Sequence, residues 1–162
     1  MKLVHPLQAG SVPGKDMNHV IDLFKAAKIA ARDDQKNASG MALLLDFAKA
    51  CDSLGRRVLL VALQYLGLPG AFVRVVRLLH AGARCRFSVN GHLSHWLPVS
   101  CGIRQGCPLA PLLFILALDL HYTRFEMQTQ VTGVMLATRS AVLKVKVCGY
   151  ADETAVYIRS PT

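Results

Sequence analysis

Two adjacent carboxylates on one turn constrain this chain more than any other feature. Val145-Lys146-Val147-Cys148-Gly149-Tyr150-Ala151-Asp152-Glu153-Thr154-Ala155-Val156-Tyr157-Ile158 reads as two short apolar strands around a tight turn. The flanking residues are β-branched or aromatic, which suits strands. Asp152 and Glu153 stand at the tip. A tip is exposed on a stiff scaffold, and carboxylate oxygens there suit hard cations such as Mg²⁺. The plainer reading is a polar turn, because Asp favours turns for backbone reasons.

A second apolar run, Met41-Ala42-Leu43-Leu44-Leu45-Asp46-Phe47, also ends in an acid. An unpaired carboxylate is expensive inside a core, so an acid closing a buried strand caps something or binds something. If this strand, 41–47, pairs beside the hairpin, Asp46 and Asp152 meet at one sheet edge, with three carboxylates around one spot. Two metals about 3.5–4 Å apart, clamped in this way, serve in-line phosphoryl transfer.

Three stretches then come in a telling order. They are Leu44-Leu45-Asp46-Phe47-Ala48-Lys49-Ala50-Cys51-Asp52-Ser53, Gly102-Ile103-Arg104-Gln105-Gly106-Cys107-Pro108-Leu109-Ala110-Pro111 and Tyr150-Ala151-Asp152-Glu153-Thr154. In order and spacing they resemble the three palm motifs of reverse transcriptases of the non-LTR retrotransposon type. Gln8-Ala9-Gly10-Ser11-Val12-Pro13-Gly14-Lys15 is similar to a fingers motif of the same family. The resemblance covers nearly the whole chain. It implies an α/β (α+β) fold: the palm of a right-handed polymerase, a small antiparallel sheet backed by helices. Residues 1–40 would be a partial fingers segment and 41–162 the palm.

The same resemblance implies an activity and a site. The activity is RNA-directed DNA synthesis, in which a primer 3′-hydroxyl attacks the α-phosphate of a dNTP. Asp46 and Asp152 would hold two Mg²⁺ ions (Mn²⁺ as a substitute), helped by the Phe47 carbonyl and Glu153. Lys15, Cys51, Arg104, Gln105 and Gly106 would contact the nucleotide, with Gln105 over the nascent base pair and sugar. The partners would be an RNA template and a DNA primer. The sequence does not set the oligomeric state. Two other readings stay open: a non-catalytic nucleic-acid-binding remnant, or a related palm enzyme such as an RNA-dependent RNA polymerase or intron maturase.

The chain departs from the family pattern in three ways. Glu153 stands where a second Asp is usual, so its oxygens sit one methylene further out. A misplacement near 1 Å costs on the order of 10²-fold in rate. Cys51 replaces an aromatic ring that, by resemblance, blocks a ribose 2′-hydroxyl, so sugar discrimination should fall. The chain also ends where the primer-gripping hairpin and thumb should begin, and the outer fingers are missing. Activity of this truncated form is accordingly doubtful.

Charge and composition agree with a polyanionic partner. The 162 residues fit one domain with a real core. The net charge of +9 suits a nucleic-acid backbone or an anionic membrane surface. The longest apolar run, Cys107 to Leu118, is broken by Pro108 and Pro111 and falls short of the ~20 residues needed to span a bilayer. There is no secretory h-region after Lys2. The five cysteines are odd in number and irregularly spaced, which predicts reduced thiols in an intracellular protein of the nucleus or cytoplasm. Cys85, His92, His95 and Cys101 are a weak zinc candidate, with His92 and His95 better read as solvated. Gly10 to Asp16 misses a phosphate-binding P-loop by one residue of spacing and by Asp16 in the Mg²⁺ position.

The remaining elements follow from periodicity and turn chemistry. Met17 to Ala31 has helical spacing, with Val20, Ile21, Phe24, Ala27 and Ala30 on one side. The polar stretch Asp33 to Gly40 is the expected subdomain boundary. Asp52 or Ser53 is expected to cap a helix from Gly55 to Leu66. A further helix should bury Phe72, Val73, Val76 and Leu79, leaving Arg74 and Arg77, with Arg84, as a basic track for a phosphate backbone or simply a solvated face. Asn90-Gly91 predicts a two-residue hairpin, with Pro98 at an edge and Trp96 packed on it. A long helix from Leu109 to about Met127 follows, with Asp119 as a surface acid. Residues 131–140 should be a turn or short strand, and 142–150 one hairpin arm.

Overall fold

The computed structural model describes residues 4–33, 40–137 and 141–159. In chain order its elements are α1 (Met17–Asp33), β1 (Gly40–Leu45), α2 (Ala50–Ser53), α3 (Arg56–Tyr65), α4 (Gly70–His80), β2 (Arg84–Cys85), β3 (Ser88–Val89), β4 (His92–Leu93) and β5 (Leu97–Pro98). They continue with α5 (Ala110–Met127), β6 (Val134–Ala137), β7 (Val142–Val145), β8 (Val147–Tyr150) and β9 (Glu153–Arg159). Helices and small antiparallel sheets are thus mixed along the chain. The expected subdomain boundary falls on 34–39, outside the described residues. The chain forms two compact units, Met1–Ala48 with Leu118–Thr162, and Lys49–Ala117.

The first unit is built on a three-stranded sheet in the order β1-β9-β8. Both pairings are antiparallel, with β1 running from Gly40↔Arg159 to Leu45↔Thr154 and β8 from Val147↔Val156 to Tyr150↔Glu153. One face packs against α1 and the β6–β7 hairpin. The core there is Ala27, Val134, Leu136, Val145, Cys148, Ala155 and Tyr157, all buried, with Val20, Leu23 and Ala42 packed against it. Each fully buried Val or Leu of this kind contributes about 1.5–3 kcal/mol. Contrary to expectation, β1 is not buried: it is an edge strand whose Met41, Leu43 and Leu44 are exposed. Asp46 therefore leaves it as a solvated acid, without the desolvation cost expected for a core strand.

The single arm expected over 142–150 is two strands broken at Lys146. β7 pairs with β6, and β8 with β9. The break has a cause. Lys146 is buried, and its Nζ donates to the Glu126 and Gln128 carbonyls at 2.6 and 2.8 Å, at the end of α5. A cation is favourable at a helix C-terminus, where carbonyls lack partners. Asp119 is not the surface acid its sequence context predicts. It is half-buried and accepts the His5 N–H at 2.6 Å, and burial pushes its carboxyl above the ordinary range.

The second unit pairs α3 with α4 through Leu59, Ala62, Leu63, Val73 and Val76, all buried. Leu79 is exposed, and His80 takes its place inside, its Nδ1 meeting the Val76 carbonyl at 2.8 Å. Neither Asp52 nor Ser53 caps α3: its N-cap is Gly55, without a side-chain bond. The Asn90-Gly91 hairpin forms as predicted, both residues taking positive φ, 49° and 81°. Trp96 is half-exposed with the Arg86 guanidinium 4.2 Å from its ring centroid. Arg56 ties the unit together. Its guanidinium donates to the carbonyls of His80, Val99, Cys101 and Gly102 at 2.6–3.2 Å.

Candidate functional site: the acidic tip and the glycine-bracketed loop

In the first unit the acids are placed by register. Leu45, the last residue of β1, pairs with Thr154, and Asp46 and Glu153 are their immediate neighbours in the chain. On the other side of β9, Tyr150 pairs with Glu153, leaving Ala151 and Asp152 as a two-residue turn. Asp46 and Glu153 are exposed and line one cavity of about 410 Å³, whose other walls include Val20, Ile21, Phe24, Leu44 and Tyr150. Asp152 is half-buried in the turn beside them. Phe47 is half-buried, its ring centroid 6.4 Å from that of His121.

Among the described residues, no three or more His, Cys, Asp and Glu side chains are gathered tightly enough to hold a metal by themselves. Asp46 and Glu153 are brought to one cavity, while Asp152 does not complete a three-acid cage with them. The donor chemistry still fits a hard cation. Mg²⁺ is usually held by one or two carboxylates together with substrate phosphates rather than by an all-protein cage.

Beneath the tip lies a buried polar layer. Tyr122, on α5, meets Thr154 Oγ1 through its hydroxyl at 3.0 Å, and burial pushes that hydroxyl up to about 12. Gly149 lies directly over it, where any Cβ would collide with the Tyr122 hydroxyl. Gln8, buried, reaches the same hydroxyl at 3.4 Å. No local pattern announces this layer, since its polar members Gln8, Tyr122 and Thr154 lie 114 and 32 positions apart. Burial also raises the Cys148 thiol and the Tyr157 hydroxyl above their ordinary values, and the two lie 3.6 Å apart.

Lys15 sits in the N-terminal loop, where its Nζ donates to the carbonyls of Pro6 and Gln8, the latter at 3.0 Å. Its charge thus fastens the loop that carries Gln8.

In the second unit, the loop 102–106 docks on α2. Gly102 N donates to Leu54 O at 2.8 Å, and Ile103 N to Cys51 O at 2.9 Å. Gly102 has φ +78°, and a Cβ there would lie 2.6 Å from the Asp52 carbonyl, so both conformation and space demand glycine. The exposed Gln105 amide donates from Nε2 to both Asp52 oxygens, at 3.0 and 3.1 Å. Asp52 is thus a partner of Gln105, a role its position in the sequence did not disclose. Arg104 and Gly106 are exposed, and Cys51 is half-buried.

Comparison with known proteins matches the whole chain, residues 1–162, to the family model described as reverse transcriptase (RNA-dependent DNA polymerase). The chain is 29% identical over 152 residues to the Transposon TX1 uncharacterized 149 kDa protein of Xenopus laevis, covering 94% of this chain and 11% of that protein. It is 33% identical over 86 residues to a retrovirus-related Pol polyprotein from type-1 retrotransposable element R2 of Nasonia vitripennis, 53% of this chain and 8% of the relative. The corresponding polyprotein from type-2 retrotransposable element R2DM of Drosophila melanogaster is 35% identical over 75 residues, 46% of this chain and 7% of the relative. The chain thus spans about a tenth of these relatives' length or less.

Proposed function

This chain belongs to the reverse transcriptase family, as a domain of the non-LTR retrotransposon type, and from that premise we propose that it carries the palm of an RNA-directed DNA polymerase. Residues 41–162 are read as palm and 1–40 as a partial fingers segment. The observation that carries the reading is the cavity that Asp46, just past the end of β1, lines together with Glu153, next to the Asp152 turn.

Asp46, Asp152 and Glu153, with the Phe47 carbonyl, would hold two Mg²⁺ ions. When bound, such ions activate the primer hydroxyl and neutralise the leaving pyrophosphate. The chain's own residues supply position. Tyr122 and Thr154 support the turn from below. Gln105, held by Asp52, presents its amide oxygen to a nucleotide, with Arg104 as a cation and Gly106 leaving room. Lys15, in the N-terminal loop of the first unit, is a separate candidate nucleotide contact. Half-buried Cys51, in place of a ring, admits a ribose more readily. The +9 charge and exposed Arg74, Arg77 and Arg84 suit a template–primer backbone. Among the described residues no helix is long and apolar enough to cross a membrane. We place the protein's work in the nucleus or cytoplasm, where template and dNTPs are found.

The test is extension of a primed RNA template by dNTPs. It should require Mg²⁺ or Mn²⁺, and Asp46→Asn should abolish it while leaving template binding intact. Template binding without any extension, indifferent to Mg²⁺ and to Asp46, would make the chain a basic nucleic-acid-binding module instead. Equal use of rNTPs by Cys51→Phe protein would point to a related RNA-synthesising palm.

A further inference from the structure

Gln8 is only 1% exposed. A buried amide has two N–H donors and one oxygen with two lone pairs to satisfy. Here all four are matched. Nε2 donates to the Ala151 carbonyl at 3.2 Å and to the Tyr122 hydroxyl at 3.4 Å. Oε1 accepts from Ala151 N at 3.1 Å and from Gly10 N at 2.8 Å. Both backbone groups of a single residue, 143 positions away, are thus held by one side chain, as a neighbouring strand would hold them. That residue is the first of the acidic turn, and its φ is 54°. A left-handed conformation is strained for a residue other than glycine, so something must hold it.

The backbone around Gln8 is fitted to the same place. Ala9 N donates to Gly149 O at 2.9 Å, and Gly149 N to Leu7 O at 3.0 Å, so the loop lies along β8 as a short added strand. At Gly10 a Cβ would come within 2.6 Å of Ala151 Cα.

We propose that Gln8 is the positioning residue of the acidic tip: it clamps Ala151 in the left-handed conformation and so fixes the direction in which Asp152 and Glu153 leave the turn. The inference rests on the reading of those acids as cation ligands and deepens it. A polar side chain that merely filled the core would need its bonds satisfied, but not by both backbone groups of one strained residue.

NMR of the whole chain tests the clamp. The three-bond HN–Hα coupling and the ¹³C shifts of Ala151 report its φ without metal or substrate. Gln8→Met keeps the volume and removes the bonds. It should abolish the left-handed signature of Ala151, leave Val145 and Leu136 unshifted, and weaken Mg²⁺ binding, read at the Asp152 and Glu153 amides, by roughly 10–100-fold, as loss of a supporting partner does. Gln8→Glu adds a pH readout. An ionised Glu is acceptor-only and cannot donate to the Ala151 carbonyl, whereas the protonated acid can. Burial raises a carboxyl, so the Ala151 signature should be lost at high pH and return as pH falls. If Ala151 stays left-handed in Gln8→Met, or is indifferent to pH in Gln8→Glu, the clamp is overturned, whatever the loss of stability. If Gln8→Met does not fold, Gln8→Glu decides alone. Mg²⁺ that leaves the wild-type tip unperturbed would sink the cation reading, while the Ala151 signal still judges the clamp.

Discussion

Gln8 and Gln105 present the same amide to different surroundings. Gln8 is buried, and its four hydrogen bonds reach three residues, two of them more than a hundred positions away. Gln105 is exposed, and two bonds to one exposed carboxylate hold it. Burial makes each lost bond of Gln8 expensive, because nothing replaces it. Solvent makes the Gln105 pair cheap to break, because water takes over either partner. The acidic tip is thus built for rigidity and the glycine-bracketed loop for adjustment. Stability should reside at the first, while substitutions at the second should alter what is bound with little effect on folding.

The strongest way to break that contrast is a methyl group. Gly149→Ala sets a Cβ against both the Tyr122 hydroxyl and the Glu153 carbonyl, 2.5 Å from the latter, with neither free to move. We expect a loss of about 3 kcal/mol, at the upper end for overpacking, or no folding. Gly106→Ala has nothing within 4 Å and suffers only its φ of +81°, about 1–2 kcal/mol. Urea unfolding of the pair gives the comparison, and equal losses would end it.

Tyr122→Phe sharpens it. The variant keeps the ring that meets His5 edge-on, with centroids 5.3 Å apart, but leaves Thr154 Oγ1 and one Gln8 N–H without their partner. An unsatisfied buried group costs about 1–3 kcal/mol. The loss should be flat from pH 6 to about 9 and shrink above that, because the unfolded Tyr122 ionises near 10 while the folded hydroxyl, raised to about 12 by burial, keeps its proton. A loss that grows steeply across that range would contradict the assignment.

Asp52→Asn should do far less to stability, within about 0.5 kcal/mol, as for other exposed sites. Its effect is on orientation. A carboxylate only accepts, so it fixes Gln105 with its nitrogen inward and its oxygen outward, whereas an Asn at 52 meets that amide either way round. Both side-chain N–H signals of Gln105 should be displaced from those of a solvated glutamine in the wild type, and should move toward the solvated positions in the variant. A large drop in unfolding free energy would show that the loop is as rigid as the tip.

How far these features were legible in the sequence follows from how local their causes are. The Asn90-Gly91 turn could be read because two adjacent residues supply both positive φ angles. The acidic hairpin could be read from β-branched and aromatic residues on both sides of one turn. The pairing of β1 beside the acidic hairpin followed from the apolar run before Asp46, but that reading set Asp46 against Asp152, whereas Glu153 is the acid that shares its cavity. The edge position of β1 could not be read, since an apolar strand looks the same at an edge or inside. The break at Lys146 is not marked in the sequence, because Lys144 in the same arm stays within β7 while Lys146 leaves the strand to reach the end of α5. Gln8, Arg56 and the Asp52–Gln105 pair were illegible, because each acts on groups that only folding brings near.

The smallest expected effect links the tip to acid. His5 Nδ1 accepts the Leu7 N–H at 3.2 Å, one residue before Gln8, and its Nε2 lies 3.5 Å from Glu126. Burial lowers its pKa below the ordinary 6.5, and this outweighs the upward pull of Glu126 and Asp119. The unfolded chain therefore binds more protons than the folded one between the lowered value and 6.5, so stability rises with pH across that window and is lost as pH falls. Protonation at Nδ1 also removes the acceptor that Leu7 uses, loosening the strap that carries Gln8. Asp119 acts in the opposite sense and in its own window above 3.8, because its carboxyl is raised. His5→Asn separates the two: the slope of unfolding free energy just below pH 6.5 should flatten in the variant, while the Asp119 contribution persists. If the slope survives in His5→Asn, the strap is not what acid loosens, and the rigidity of the tip is independent of its N-terminal support.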